Sequence, residues 1–117
     1  VNNACNAKLH QAEGECANLL DCAQALEEVL RVEPVDRAEA LAVLDQMDET
    51  LQALREMRLF KYRKTAAYAR EMRSCAERAA ECAKQARDAL TAGNADADAG
   101  KSLVKLAEQM QALTDDL

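Results

Sequence analysis

LQALREMRLFKYRKTAAYAREMR, residues 51–73, decides the fold. It holds no Gly, Pro, Asn, Asp or Ser, the residues that close turns. A helical seam enters it through Ala40, Leu44, Met47, Leu51 and Leu54, and leaves it through Tyr68, Met72, Cys75, Ala79, Cys82, Ala86 and Ala89. The 3-4 phase never slips between the two, although Arg58, Lys61 and Thr65 fill three consecutive seam positions. Two arrangements satisfy this pattern. Either a turn near 58–65 separates two helices of a four-helix bundle, or one long central helix runs from about 36 to 92 with the flanking helices folded back on it. The lack of turn residues favours the long helix. Two such helices, paired antiparallel between chains, would make a dimer that converts to the monomeric bundle by closing the hinge.

Upstream, Cys5, Leu9, Ala12, Cys16, Leu19, Ala23, Leu26 and Leu30 form an unbroken heptad seam. Asn2 or Asn3 can cap this helix, and Pro34 ends it, which predicts a helix over about 3–31. Asp36-Arg-Ala-Glu39 reads as a capping box, with Val35 and Ala40 placed as a staple. Downstream, Gly93 suits the C-terminal cap of whichever helix ends there. Residues 93–99 read as a loop. Asp98 is the expected cap of a last helix, about 100–117, with a seam of Leu103, Leu106, Met110, Leu113 and Leu117. The fold class expected is all-α: a single module of antiparallel helices.

At 117 residues with one Phe, two Tyr and no Trp, the chain cannot build a thick aromatic core. Leu, Met, Val and Cys must supply the burial, at roughly 1.5–3 kcal/mol for each large side chain, and these suit narrow helix–helix seams. The longest uninterrupted apolar run, Ala40–Leu44, is far short of a membrane span. The first residue is Val1, as expected of a fragment or a processed product.

The cysteines recur in two similar phrases, ECANLLDCAQALEEVL (15–30) and SCAERAAECAKQARDAL (74–90). In a bundle whose first and third helices run parallel, Cys16 and Cys75 lie at similar depth, as do Cys22 and Cys82. Three uses follow. They are small apolar core residues; or disulfides Cys16–Cys75 and Cys22–Cys82, leaving Cys5 odd; or a thiolate cluster for Cu(I) or Zn(II). The last arrangement resembles copper storage proteins, which also line helical bundles with cysteines, although those hold many more and this chain has no C-x-x-C pair. Free thiols would favour an intracellular setting, and disulfides a secreted one.

Other motifs fail on their chemistry. Ala95-Asp-Ala-Asp-Ala-Gly-Lys-Ser102 satisfies a loose phosphate-loop pattern, but no strand precedes it and its aspartates would repel phosphate. Asn94, Asp96 and Asp98 alternate as in a calcium loop, but Lys105 stands where a bidentate Glu is needed. The single histidine lies in His10-Gln-Ala-Glu-Gly14, beside the seam residue Leu9 and facing solvent. That pentapeptide resembles the phosphorylated site of histidine phosphotransfer domains, four-helix bundles of about this length whose His is followed by Gly four residues on. The resemblance implies His10 as phosphoryl acceptor; Glu13 stands where that family has a Lys. No catalytic residue, resident cofactor or metal is expected, since no Ser/His/Asp or Cys/His grouping is close by.

Charge is uneven. The net charge is −6, which argues against nucleic acid as a partner, yet Arg55–Arg78 holds eight Lys/Arg against three Glu, a local +5. Arg58, Phe60, Lys61, Tyr62, Arg63, Lys64 and Arg70 combine cations with aromatics, as interface anchors do. The expected function is a non-enzymatic structural or protein-interaction module that works by helix pairing, with an acidic protein surface or a second copy as partner.

Overall fold

A computed structural model describes residues 3–57 and 63–117, with side chains over 7–57 and 65–117. Four helices form: α1 (Asn3–Arg31), α2 (Arg37–Arg55), α3 (Arg63–Thr91) and α4 (Ala97–Asp115). Each packs on its chain neighbours, and α1 packs on α4, so α1 faces α3 and α2 faces α4 across opposite corners of a square. The bundle measures 50 × 19 × 18 Å over its described residues.

Of the two arrangements open to residues 51–73, the four-helix bundle is the one that forms. A continuous 36–92 helix cannot set α2 beside α3. The Glu56 amide donates to the Gln52 carbonyl, and Met57 turns back to the Leu54 carbonyl at 3.4 Å. Arg73, from α3, donates through Nη1 to the Met57 carbonyl at 2.9 Å. A cation on carbonyls at a helix C-terminus satisfies orphan acceptors and opposes the dipole. Cross-helix capping thus takes the place of a turn residue.

The other connections follow local chemistry. Asp36 caps α2, its Oδ1 accepting from the Glu39 amide at 3.1 Å. α3 ends in a Schellman motif: Gly93, at φ 86°, donates to Leu90 and Asn94 to Ala89. α4 starts three residues earlier than its sequence suggests, because Asp96 rather than Asp98 is the cap and accepts from the Ala99 amide at 3.0 Å. Asp98 instead lies in the first turn, where its charge favours the helix N-terminus.

The helix bounds reveal a structural repeat. α1 and α3 each span 29 residues, α2 and α4 each 19. Residues 3, 31, 37 and 55 correspond to 63, 91, 97 and 115, a constant offset of 60. The backbone repeats but the side chains complement. Across the α1/α3 diagonal, buried Leu19 and Leu26 stand opposite Ala79 and Ala86, while Ala12 stands opposite Met72. Across α2/α4, Met47 and Leu54 stand opposite Ala107 and Thr114. Large against small at these depths shares the core volume between facing helices, whereas Ala23 and Leu30 meet their equals, Ala83 and Leu90.

The seams hold with local shifts. Ala12, Cys16, Leu19, Ala23, Leu26 and Leu30 line the α1 core face, and all five α2 seam residues are buried. In α3 the face turns by one residue, burying Ala83 and Leu90 in place of Cys82 and Ala89. In α4, Ala107 and Thr114 replace Leu106 and Leu113, and Leu117 is exposed. Among the described residues, Val32 and Leu117 are the large apolar side chains left exposed. No described helix is long and apolar enough to cross a membrane.

Candidate functional site

Because α2 ends at Arg55 and α3 begins at Arg63, the basic segment Arg55–Arg78 is gathered towards one end of the bundle. α3 opens with Arg63 and Lys64 and has no acidic residue in its first turn. α2 and α4, by contrast, have aspartate caps and Glu39 or Asp98 in theirs. Cations at a helix N-terminus add to the positive end of the dipole, so this end of α3 favours an incoming anion. Arg70 is exposed on the next turns. Arg58, Phe60, Lys61 and Tyr62 lie outside the described residues, as do the side chains of Arg63 and Lys64. Of two other cations, Arg73 bonds the Met57 carbonyl, and Arg78 is exposed with its Nη2 3.2 Å from Cys75 Sγ. The exposed Asp115 and Asp116 close α4 at the same end, so an acidic ligand would meet repulsion on that side.

The cysteines divide into two pairs with different surroundings. Cys16 and Cys75 are fully buried. Cys16 Sγ lies 3.7 Å from Thr114 Oγ1 and 4.0 Å from Met72 Sδ. Cys22 and Cys82 are half-buried and face different seams: Cys22 Sγ is 3.8 Å from Gln46 Oε1 on α2, whereas Cys82 sits beside Ser102, Lys105 and Leu106 of α4. Equal depth therefore does not bring the second pair together, because α1 and α3 occupy opposite corners. All four are free thiols. Among the described residues no three His, Cys, Asp or Glu converge as a metal-binding group. Burial pushes the Cys16, Cys22 and Cys82 thiols above their ordinary value, with carboxylates adding to the shift at each. Nucleophilic and metal-ligand chemistry both need the thiolate, which this environment opposes. Cys5 lies in α1, its side chain outside the described residues.

Sequence reasoning missed a buried polar knot at this end of the core. Tyr68 Oη and Thr114 Oγ1 are 2.8 Å apart, and Thr114 also donates to the Met110 carbonyl at 3.2 Å. The knot joins α3 to α4, and through Cys16 to α1. The threonine sits beside the expected seam residue Leu113, so the apolar pattern conceals it.

His10 is exposed, its Nδ1 3.6 Å from the Glu13 carboxylate. A phosphoryl group arriving there would meet that negative charge. At the opposite end, an open concavity of about 510 Å³ lies between the two interhelix loops and includes Glu33, Arg37 and Asn94. It brings together no nucleophile and general base. Comparison with protein-family models, curated proteins and solved structures finds no match to this chain.

Proposed function

We propose that the chain is a non-enzymatic protein-interaction module that docks an acidic protein segment on the basic end of its helical bundle. The observation that carries this is the start of α3: Arg63 and Lys64 open a helix with no acidic residue in its first turn, and Arg70 is exposed beyond them, in a chain that is otherwise acidic. The bundle supplies a rigid mount, and the basic end supplies attraction and orientation. Phe60 and Tyr62, outside the described residues, adjoin this end in sequence and are the aromatic anchors this reading assigns. The closed apolar core leaves the folded monomer little exposed surface for pairing extra helices side by side, so recognition is electrostatic in origin.

The test is binding of a fluorescein-labelled peptide rich in Glu and Asp, followed by anisotropy. Wild-type protein should bind, and affinity should fall as salt rises. Combining Arg63→Glu, Lys64→Glu and Arg70→Glu should weaken binding at least about tenfold while circular dichroism stays unchanged, since close like charges across an interface cost more than 1.4 kcal/mol. Equal binding by the reversed and wild-type proteins would retire this surface.

A further inference from the structure

We infer that the faces joining the two helical hairpins also serve as an interface with a second copy of this chain, the two copies exchanging hairpins to form a swapped dimer. This stands apart from the acidic-partner reading and has its own test.

Hairpin α1–α2 meets hairpin α3–α4 along α1·α4 and α2·α3. One covalent connection, residues 56–62, links the halves. Every other contact between them is indifferent to which chain supplies the second hairpin. These contacts include Thr114 with Cys16, the close approach of Gly100 to Glu27 and Leu30, and the Arg87 pairs with Asp45 and Asp48. The large-against-small complementarity adds selectivity. A first hairpin facing another first hairpin would set Leu19 against Leu19 and Leu26 against Leu26, overfilling the core. At these two depths it favours a second hairpin, its own or its neighbour's.

The three interhelix connections differ in what they enforce. Pro34 breaks the chain after α1, and Gly93 takes a left-handed conformation after α3. After α2 the sequence offers neither residue, since none of positions 56–62 is Pro or Gly. Glu56 stays in right-handed helical space at φ −88°, ψ −2°, its amide still bonded four residues back. The sequence that follows, MRLFKY (57–62), holds no helix breaker, and the 3-4 phase carries through to α3. Joining α2 to α3 as one helix gives up the Arg73–Met57 hydrogen bond and retains the contacts between hairpins. Repeating the α2–α3 pairing between chains requires the two long helices to run antiparallel, so their Arg55–Arg78 segments lie side by side. Each brings a local +5. That repulsion holds the dimer down at low ionic strength, and salt relieves it.

Equilibrium sedimentation of reduced protein, refolded over a range of concentrations, tests the exchange. The expected result is a monomer–dimer equilibrium in which the dimer fraction rises with concentration and with salt. Deleting residues 56–62 removes seven residues, two turns of the 3-4 pattern, and runs α2 into α3 in phase with no chain left to fold back. That protein should double in mass at all concentrations with wild-type helix content. A glycine variant, Leu59→Gly with one further glycine inserted after it, favours the turn, leaves Phe60 in place and should be monomeric. Binding of the acidic peptide to this monomer scores the other proposal separately. A wild-type protein monomeric at every concentration and salt overturns the inference. So does a deletion protein that is monomeric or unfolded, or a glycine variant that dimerises as well as wild type.

Discussion

Thr114→Val isolates the polar knot that ties α4 to α3. Valine keeps the shape and replaces the hydroxyl with a methyl group. The Met110 carbonyl loses a secondary partner but belongs to the helix. Cys16 keeps Met72 as a neighbour. Tyr68, only 5% exposed, loses the oxygen 2.8 Å from its own hydroxyl. Stranding a buried hydroxyl costs about 1–3 kcal/mol, and the added methyl returns about 0.8 kcal/mol, for a net loss of up to about 2 kcal/mol. Tyr68→Phe alone should cost less, about 0.5–1.5 kcal/mol, because Thr114 retains the Met110 carbonyl. The sign of the coupling decides the matter. In the Thr114→Val background, Tyr68→Phe removes the stranded hydroxyl and should be neutral or stabilising. Urea unfolding followed by circular dichroism on the four proteins measures the cycle. If Tyr68→Phe costs the same in both backgrounds, the hydrogen bond is not what joins these helices.

Three further outcomes follow from the packing. A Cβ on Gly100 would lie 3.3 Å from the Glu27 Cα, so Gly100→Leu should overfill the α1–α4 contact and lower stability by about 2 kcal/mol, visible in the urea midpoint. Arg87→Ala removes pairs to exposed Asp45 and Asp48 at 2.8 and 2.9 Å; solvent screening limits the loss to about 1 kcal/mol or less, shrinking in salt, and a larger salt-independent loss would contradict this. Burial raises the Cys16 thiol above 9.0 and the Tyr68 phenol above 10.0, so the folded chain holds these protons more tightly than the unfolded one. Their stabilising effect is complete below the unfolded values and is lost as pH climbs through the folded ones. The urea midpoint should therefore fall steadily above about pH 9, and less steeply above about pH 10 in Tyr68→Phe; a flat profile there would exclude the linkage.

The bounds of α1 were legible because its start has an asparagine available and Pro34 ends it, with a Leu-rich seam between. The α2 start was legible from Asp36 and Glu39, and the α3 end from Gly93. The break between α2 and α3 was not, because what closes α2 is a long-range bond from Arg73, sixteen residues beyond Met57. The α4 start was misplaced on Asp98, because Asp96 also precedes helix-forming residues; the Ala99 amide contact makes Asp96 the cap. In α3 the seam drifted by one residue because Ala and Cys are small enough to sit on either side of the core boundary. Gly100 drew attention as part of a phosphate-loop pattern, and its role is the close approach of α4 to α1. Of the basic surface, sequence showed the composition, while the fold shows that Arg73 reaches the Met57 carbonyl and that Arg70 and Arg78 are exposed.

Amide chemical-shift mapping with the Glu/Asp-rich peptide tests the interaction reading most directly, because every backbone N–H reports its own position. The account predicts shifts concentrated at the end of α2 and over residues 63–78, fading along α3 towards Gly93. Shifts clustered at the opposite end, around Glu33–Asp36 and Gly93–Asp96, or no shifts at peptide excess, would contradict it.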